Sequence, residues 1–181
     1  MSVFFTSDTH WGHKSIISFS NRPYSLVEEM DEDLIQRWNS KVSSKDTIYH
    51  LGDVMWYRKE DQQRRIIDRL NGNIKLILGN HDSDFKYWPS KIELCDPITK
   101  LKFDHVTFQL CHYPLLEWDG AFRGAIHLHG HSHNLWPQTS YRRLDIGVDG
   151  NNMYPWELEE IMIWAKNRPV FGPEVFKNTA P

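Results

Sequence analysis

Short apolar stretches alternate with helical periodicities along most of the chain, a pattern that predicts strands feeding loops and helices in an α/β arrangement. Val3 to Ser7 reads as a buried strand followed by a polar turn at Asp8-Thr9-His10. Ser25 with Glu28 three residues later has the form of a capping box, and behind it Met30, Leu34, Trp38 and Val42 recur every four residues as one face of a long helix. Thr47 to Leu51 predicts a second strand ending in Gly52-Asp53. Lys59 to Leu70 predicts a second helix stopped by Asn71-Gly72, and Ile74 to Leu78 a third strand. Lys100 to Phe103 and Val106 to Cys111 flank Asp104-His105 as a hairpin. Ala125 to His129 and Tyr141 to Val148 complete the strands. Pro155 marks a final helix start ahead of Leu158, Ile161, Met162 and Ala165, and an irregular tail is expected from about residue 169. No repeat interrupts the series, and a single domain over residues 1–181 is expected.

Composition narrows the class. The 181 residues are 40% hydrophobic and 25% charged, enough to bury a core. The longest apolar run, Ile161 to Ala165, is five residues, far short of the about 20 that cross a bilayer. The N-terminus lacks the basic start and long apolar stretch of a secretory signal, so no membrane partner and a cytoplasmic location are expected. Cys95 and Cys111 read as free thiols. With 21 basic and 24 acidic residues the net charge is -3, which provides no wide basic field and makes extended DNA or RNA a poor partner. The unusual counts are ten histidines and eight tryptophans.

The histidines fall in a pattern. Five predicted strands end in polar clusters: Asp8 and His10, then Asp53, then Asn80-His81-Asp82, then His112, then His131 and His133. Ligands collect beyond the carboxyl ends of strands in open α/β sheets, so these clusters are expected to converge. Asp8-x-His10 and His131-x-His133 share the spacing that, in extended backbone, places two side chains on one face, each pair able to grip an ion from one side. Gly52, Gly79 and Gly130 precede three clusters and would let the backbone turn sharply.

Taken in this order, Asp8-x-His10, Gly52-Asp53, Gly79-Asn80-His81-Asp82, His112 and Gly130-His131-Ser132-His133 resemble the signature of the calcineurin-like metallophosphoesterases. The resemblance implies a two-sheet sandwich flanked by helices with a dinuclear metal centre at the strand ends. It implies that Asp8, His10, Asp53 and His133 hold one metal, and that Asn80, His112, His131 and the bridging Asp53 hold the other. His81 takes the catalytic position, with Asp82 orienting it.

Residue chemistry agrees with the carry-over. Mixed imidazole, carboxylate and amide donors suit manganese, iron, nickel or zinc better than calcium or magnesium, and manganese is expected first. A water bridging two such ions loses a proton near neutral pH and can attack phosphorus in line. Asp53 has two oxygens to share between ions, and a histidine is the natural proton donor to a departing alkoxide.

The expected function is hydrolysis of a small phosphodiester. Phosphomonoesterase or nucleotide pyrophosphatase activity, a nuclease drawing on Arg64-Arg65 and Arg142-Arg143, and a non-catalytic scaffold are the alternatives. His13 and Arg22, on the early loop, are candidates to face the substrate phosphate, against a plain surface role. His127 and His129 are expected to support structure or ligands, and His50 and His105 to be strand and turn residues. Trp11, Trp56, Trp88, Trp118 and Trp136 stand near polar loops, where they either wall a cleft or pack beneath it, whereas Trp38 and Trp164 read as core.

Overall fold

The computed structural model describes residues 1–135 and 141–172, and over these the periodicities become nine strands and four helices. In chain order they are β1 (Val3–Thr6), α1 (Lys14–Phe19), α2 (Val27–Lys41), β2 (Thr47–His50), α3 (Glu60–Ile67), β3 (Asn73–Leu76), β4 (Ile92–Leu94), β5 (Ile98–Phe103), β6 (Val106–Cys111), β7 (Ile126–His129), β8 (Arg143–Asp145), β9 (Trp156–Glu157) and α4 (Leu158–Lys166). One sheet has the order β4-β3-β2-β1-β9, parallel except for the antiparallel β9. The other runs β5-β6-β7-β8, with an antiparallel hairpin β5-β6 and parallel pairs beyond it. The two sheets and their flanking helices make the expected α/β sandwich.

Strand alternation explains the layers. On β1, Phe4 packs into the cluster shared with Met30, Leu34 and Trp38 of α2 and Ile66 and Ile67 of α3. Its neighbour Phe5 joins Phe108, Leu110, Leu128 and Leu144 of the second sheet, with Ile161 and Ala165 of α4. Successive side chains on a strand point to opposite faces, so both faces of the first sheet are buried. On β7 the same rule sends Ile126 and Leu128 into the core between the sheets and His127 and His129 to the other face, where His127 lies beside Trp118 at 5.4 Å between ring centroids.

Several local expectations are corrected. The capping box is not at Ser25: α2 starts after Leu26 with no side-chain cap, and Glu29 reaches back to accept the Ser25 N–H at 3.2 Å. The box occurs instead at α4, where the Glu160 side chain accepts the Glu157 N–H at 2.8 Å. Pro155 does not open that helix, because Trp156 and Glu157 first pair with β1 as β9. The strand expected over Tyr141 to Val148 is shortened to β8, since the Asp145 carboxylate accepts the Gly147 N–H at 2.8 Å and a 3-10 turn follows at Val148–Gly150. The strands β4 and β9 and the short helix α1 were not legible as periodicities. Cys111 is buried and Cys95 half-buried, and both are free. Among the described residues no helix is long and apolar enough to cross a membrane. Residues 136–140, with Trp136, and the tail segment 173–181 lie outside the described residues.

Candidate metal centre

The carboxyl ends of β1, β2, β3, β6 and β7 meet where the two sheets are stitched together. Ser7 bridges to Gly147 and the Val148 N–H donates to the Ser7 carbonyl at 3.1 Å, while within the second sheet the Gly130 N–H extends the β6–β7 pairing to the His112 carbonyl at 2.9 Å. Past these ties the chain bends hard: Asp8, His10, Asp53, His131 and His133 all adopt left-handed backbone, with φ between 49° and 68°. Such conformations are disfavoured for non-glycine residues and cluster at functional sites. The extended geometry expected for Asp8-x-His10 and His131-x-His133 is therefore absent. Asp8 and His10 still share one donor group, but His131 and His133 separate into different ones.

Of the three glycines expected to turn the chain, only Gly52 does so, at φ +95°. Gly79 and Gly130 serve close approach instead. A Cβ on Gly130 would lie 2.0 Å from Ser7 Oγ and 2.3 Å from Asp8 Oδ2, and one on Gly79 would lie 2.3 Å from Asp53 Oδ1.

The converging donors form two groups, Asp8 with His10 and His133, and Asp53 with His112 and His131, each with its ligand atoms within 4.8 Å of one another. Asp53 Oδ2 stands 3.6 Å from His10 Nε2 and also 3.6 Å from His112 Nε2, so one oxygen faces both groups. Asp53 Oδ1 is occupied by the His81 N–H at 2.9 Å. One Asp53 oxygen, rather than the expected two, is thus left facing the two groups.

The donor set fits cations. His10 Nε2 is buried with no hydrogen-bond partner. His112 places Nδ1 2.7 Å from the Leu51 carbonyl, which accepts only if Nδ1 carries the proton. Nε2 is then a bare lone pair, and it faces another acceptor, Asn80 Oδ1, at 3.0 Å. Both atoms can accept, so a cation beside them, or a proton between them, satisfies the pair. His133 likewise donates from Nδ1 to Asp149 at 2.8 Å, leaving Nε2 4.0 Å from Asp8. Hydrogen-bonded imidazoles of this kind are the usual metal ligands.

Electrostatics agree. Burial pushes the Asp8 carboxyl up to about 8, with Asp145 and Asp53 adding repulsion against the relief from His133. This is the behaviour of a carboxylate buried without a counter-ion. Burial, then the neighbouring His133 and Arg22 charges, hold His10 well below the ordinary imidazole value, and burial lowers His131. Neutral imidazoles are ready ligands.

The remaining expected residues divide. His81 is exposed, its ring 5.7 Å from that of His10 and 5.2 Å from that of Trp56. His13 stands at the same rim, stacked on Trp56 at 4.2 Å with 9° between planes. Asp82 does not orient His81. Its buried carboxylate accepts the N–H groups of Gly79 and Asp53 at 2.7 Å and of Val54 at 2.8 Å, which ties the β2 loop to the β3 loop. Arg22 does not face a phosphate either. It is 4% exposed, and its guanidinium donates to both oxygens of Asp149, at 2.8 and 3.0 Å, and to the carbonyls of Asp8 and Thr9, at 2.7 and 2.9 Å. A long chain from the α1 end reaches beneath the metal-facing loop because four acceptors await it there.

His127 and His129 keep a supporting role. His127 donates to the Gln109 carbonyl at 2.9 Å and accepts the Leu115 N–H at 3.0 Å. His50 is a buried strand residue in one tautomer, accepting the Gly52 N–H at 3.2 Å and donating to Thr9 Oγ1 at 2.9 Å. Trp11 is fully buried against Trp38 and walls no cleft, and Trp118 packs beneath its loop with Phe171. Two carboxylates were missed from sequence. Asp149 holds His133 and Arg22, and Asp145 accepts Ser132 Oγ at 2.7 Å and the Asn134 N–H at 3.0 Å, shaping the loop that carries His131 and His133. The available signal was Asp145 between Leu144 and Ile146, an acid in an apolar strand that must find partners.

The family profile of the calcineurin-like phosphoesterases matches residues 1–177. The chain is 33% identical over 167 residues to uncharacterized protein MJ1445 of Methanocaldococcus jannaschii, covering 88% of this chain and 89% of that protein. It is 27% identical over 180 residues to the gene 66 protein of Mycobacterium phage L5, covering 82% and 86% respectively. The crystal structure of AQ665 from Aquifex aeolicus, a protein of unknown function, shares the fold with a TM-score of 0.71 at 24% identity, over 90% of this chain and 98% of its own. A profile spanning nearly the whole chain, with a relative at one-third identity over most of its length, shows that this chain belongs to the calcineurin-like phosphoesterase family of metal-dependent hydrolases.

Proposed function

We propose that the protein is a dinuclear metal-dependent phosphodiesterase that hydrolyses small phosphodiesters with two divalent transition-metal ions, manganese first among them. The observation that carries this reading is Asp53 Oδ2, which stands 3.6 Å from Nε2 of both His10 and His112. Asp8, His10, Asp53 and His133 would hold one ion, and Asp53, Asn80, His112 and His131 the other. Such a pair, when bound, would neutralise charge on the phosphate oxygens and supply a nucleophilic water near neutral pH.

The chain's own groups do the rest. Hydroxide from that water, its proton released to solvent, would form the bond to phosphorus as the opposite P–O bond breaks, and the departing oxygen would take a proton from the His81 imidazole, which stands exposed at the rim and is reprotonated from solvent. The His81 N–H on Asp53 Oδ1 fixes that loop relative to the centre. Preference for a diester over a monoester is supported by Arg22: with its guanidinium buried and satisfied, it is not free to clamp the second charge of a monoester dianion.

The test is a screen of purified protein loaded separately with manganese, iron, nickel or zinc, on an aryl diester, an aryl monoester, a cyclic nucleotide and an oligonucleotide over a salt series. Diester hydrolysis with little salt dependence is expected. A higher kcat/KM on the monoester overturns the diester preference. Preferential oligonucleotide cutting that falls steeply with salt points to a nuclease.

A further inference from the structure

On the His81 side of the metal centre lies a cavity of about 80 Å³ that the catalytic reading leaves unused. Its walls include Trp56, Arg58, Asn80, His81, Ser83 and Asp84. It shares Asn80 and His81 with the proposed machinery, so a substituent on the ester oxygen that His81 protonates must pass into it. The wall beside His81 is Trp56, its ring 5.2 Å from the imidazole and 38% exposed although it is a tryptophan in a molecule that buries Trp11 and Trp38 almost completely.

Trp56 is held in place from several directions. Its backbone N–H donates to the Trp11 carbonyl at 2.8 Å, and the adjacent Met55 forms a bridge with Trp11, which fixes the main chain beneath the indole. The His13 ring lies against the indole at 4.2 Å and nearly parallel. The next residue, Tyr57, is fixed by donating to the buried Asp31 carboxylate at 2.7 Å, and that carboxylate also accepts the Gly12 N–H at 2.9 Å, which ties together the loops that carry His13 and Trp56. A preformed aromatic platform loses little conformational freedom on binding. Beside it Arg58 is 69% exposed, 5.9 Å over the indole and 3.4 Å from a 46% exposed Asp84, so its cation can swing to a polar ligand edge.

We propose that Trp56 is the specificity-determining residue of a seat for the leaving group, and that the seat selects phosphate esters whose leaving group carries a flat aromatic ring, a nucleobase or an aryl group. This rests on the phosphodiesterase reading for which half of the substrate departs, but not for the stacking itself. The cavity is too small to enclose a base, so the ring lies against the exposed part of the indole that His13 leaves uncovered, displacing the accessible Arg58. Purine and pyrimidine rings are therefore accepted alike, since every base has a π-face.

Two measurements test it with the full chain loaded with manganese. Calorimetric titration compares adenosine 5′-phosphate with ribose 5-phosphate, which differ by the ring alone. Stacking removed by truncation is worth about tenfold in affinity. Wild type should favour adenosine 5′-phosphate by about that factor, Trp56→Leu should abolish the preference with manganese content unchanged, and Trp56→Phe should restore most of it. Equal affinities in wild type, failure of both to bind, or a preference that survives in Trp56→Leu overturns the seat. Separately, kcat/KM is compared for methyl 2-phenylethyl phosphate and methyl 2-cyclohexylethyl phosphate, which have similar bulk and leaving-group basicity. A phenyl preference lost in Trp56→Leu, with 2-phenylethanol rather than methanol as the released alcohol, supports the leaving-group assignment, and no preference, or release of methanol alone, overturns it. If the ring preference in binding holds while neither diester is hydrolysed, the phosphodiesterase reading fails and the aromatic seat stands.

Discussion

Asp82→Asn separates two roles for this residue. In the structure the carboxylate receives three backbone N–H groups, from Gly79, Asp53 and Val54, at 2.7 to 2.8 Å, and it is 4% exposed. Hydrogen bonds to a charged acceptor contribute about 1.5–3 kcal/mol each, and a buried donor left without an acceptor costs about 1–3 kcal/mol. Asparagine keeps one acceptor oxygen and turns an N–H₂ toward at least one of the three donors, so one charged bond is lost and two donors face each other. Part of this is offset because burial already pushes the Asp82 carboxyl up, against the lowering by its N–H partners, and the neutral amide escapes that desolvation.

The expected net loss is about 2–4 kcal/mol. Urea unfolding of metal-free protein should show it as a lower midpoint at an unchanged slope. Manganese retention should fall as well, since the loops bearing Asp53 and Asn80 are no longer clamped together. If the variant is as stable as wild type, keeps its metal, and loses rate only on esters with high-pKa leaving groups, then Asp82 acts on His81 and the loop-clamp argument is wrong.

Three further outcomes follow from the site. Elemental analysis after loading should find about two transition-metal ions per chain, and Asp53→Asn should lower both content and activity more than Asp8→Asn; equal retention in the two variants removes Asp53 from the bridge. His81→Ala should keep its metals yet lose rate mainly on poor leaving groups, and a uniform loss across a leaving-group series would point to positioning instead. His127 is pushed down to about 3, chiefly by burial, so the unfolded chain binds more protons between about pH 3 and 6.5 and the His127 contribution to stability is lost as pH falls through that window. The stability of wild type relative to His127→Gln should therefore shrink by up to about 1.4 kcal/mol per pH unit below 6.5 in paired urea titrations. A constant difference would show that the imidazole is not buried neutral. The paired comparison is required because Asp8 and Asp31, raised to about 8 and about 6, chiefly by burial, pull the total slope the other way.

What could be read from sequence was whatever depends on residue type and local order. Five polar clusters after five apolar runs were visible because strands bury hydrophobic residues and chemistry collects at their ends. The donor types alone argued for borderline divalent ions, and Met30, Leu34, Trp38 and Val42, all buried, followed from helical periodicity. The two-residue strand β9 and the three-residue β4 carry too few residues to show a period.

Tertiary structure decided what depends on which loops touch. Nothing in the order Asn80-His81-Asp82 reveals that the Asp82 carboxylate is surrounded by backbone N–H groups from a loop 28 residues earlier. Nor does an arginine near His13 disclose that Asp149, 127 residues away, has already taken its guanidinium. The same holds for the division of His131 and His133 between two donor groups, which left-handed backbone imposes against the alternation of a strand. Two tryptophans expected alike near polar loops, Trp11 and Trp56, meet at one backbone bridge, one sealed in the core and one open beside His81. Burial is a property of the assembled layers, because a side chain loses water only when another segment arrives to displace it.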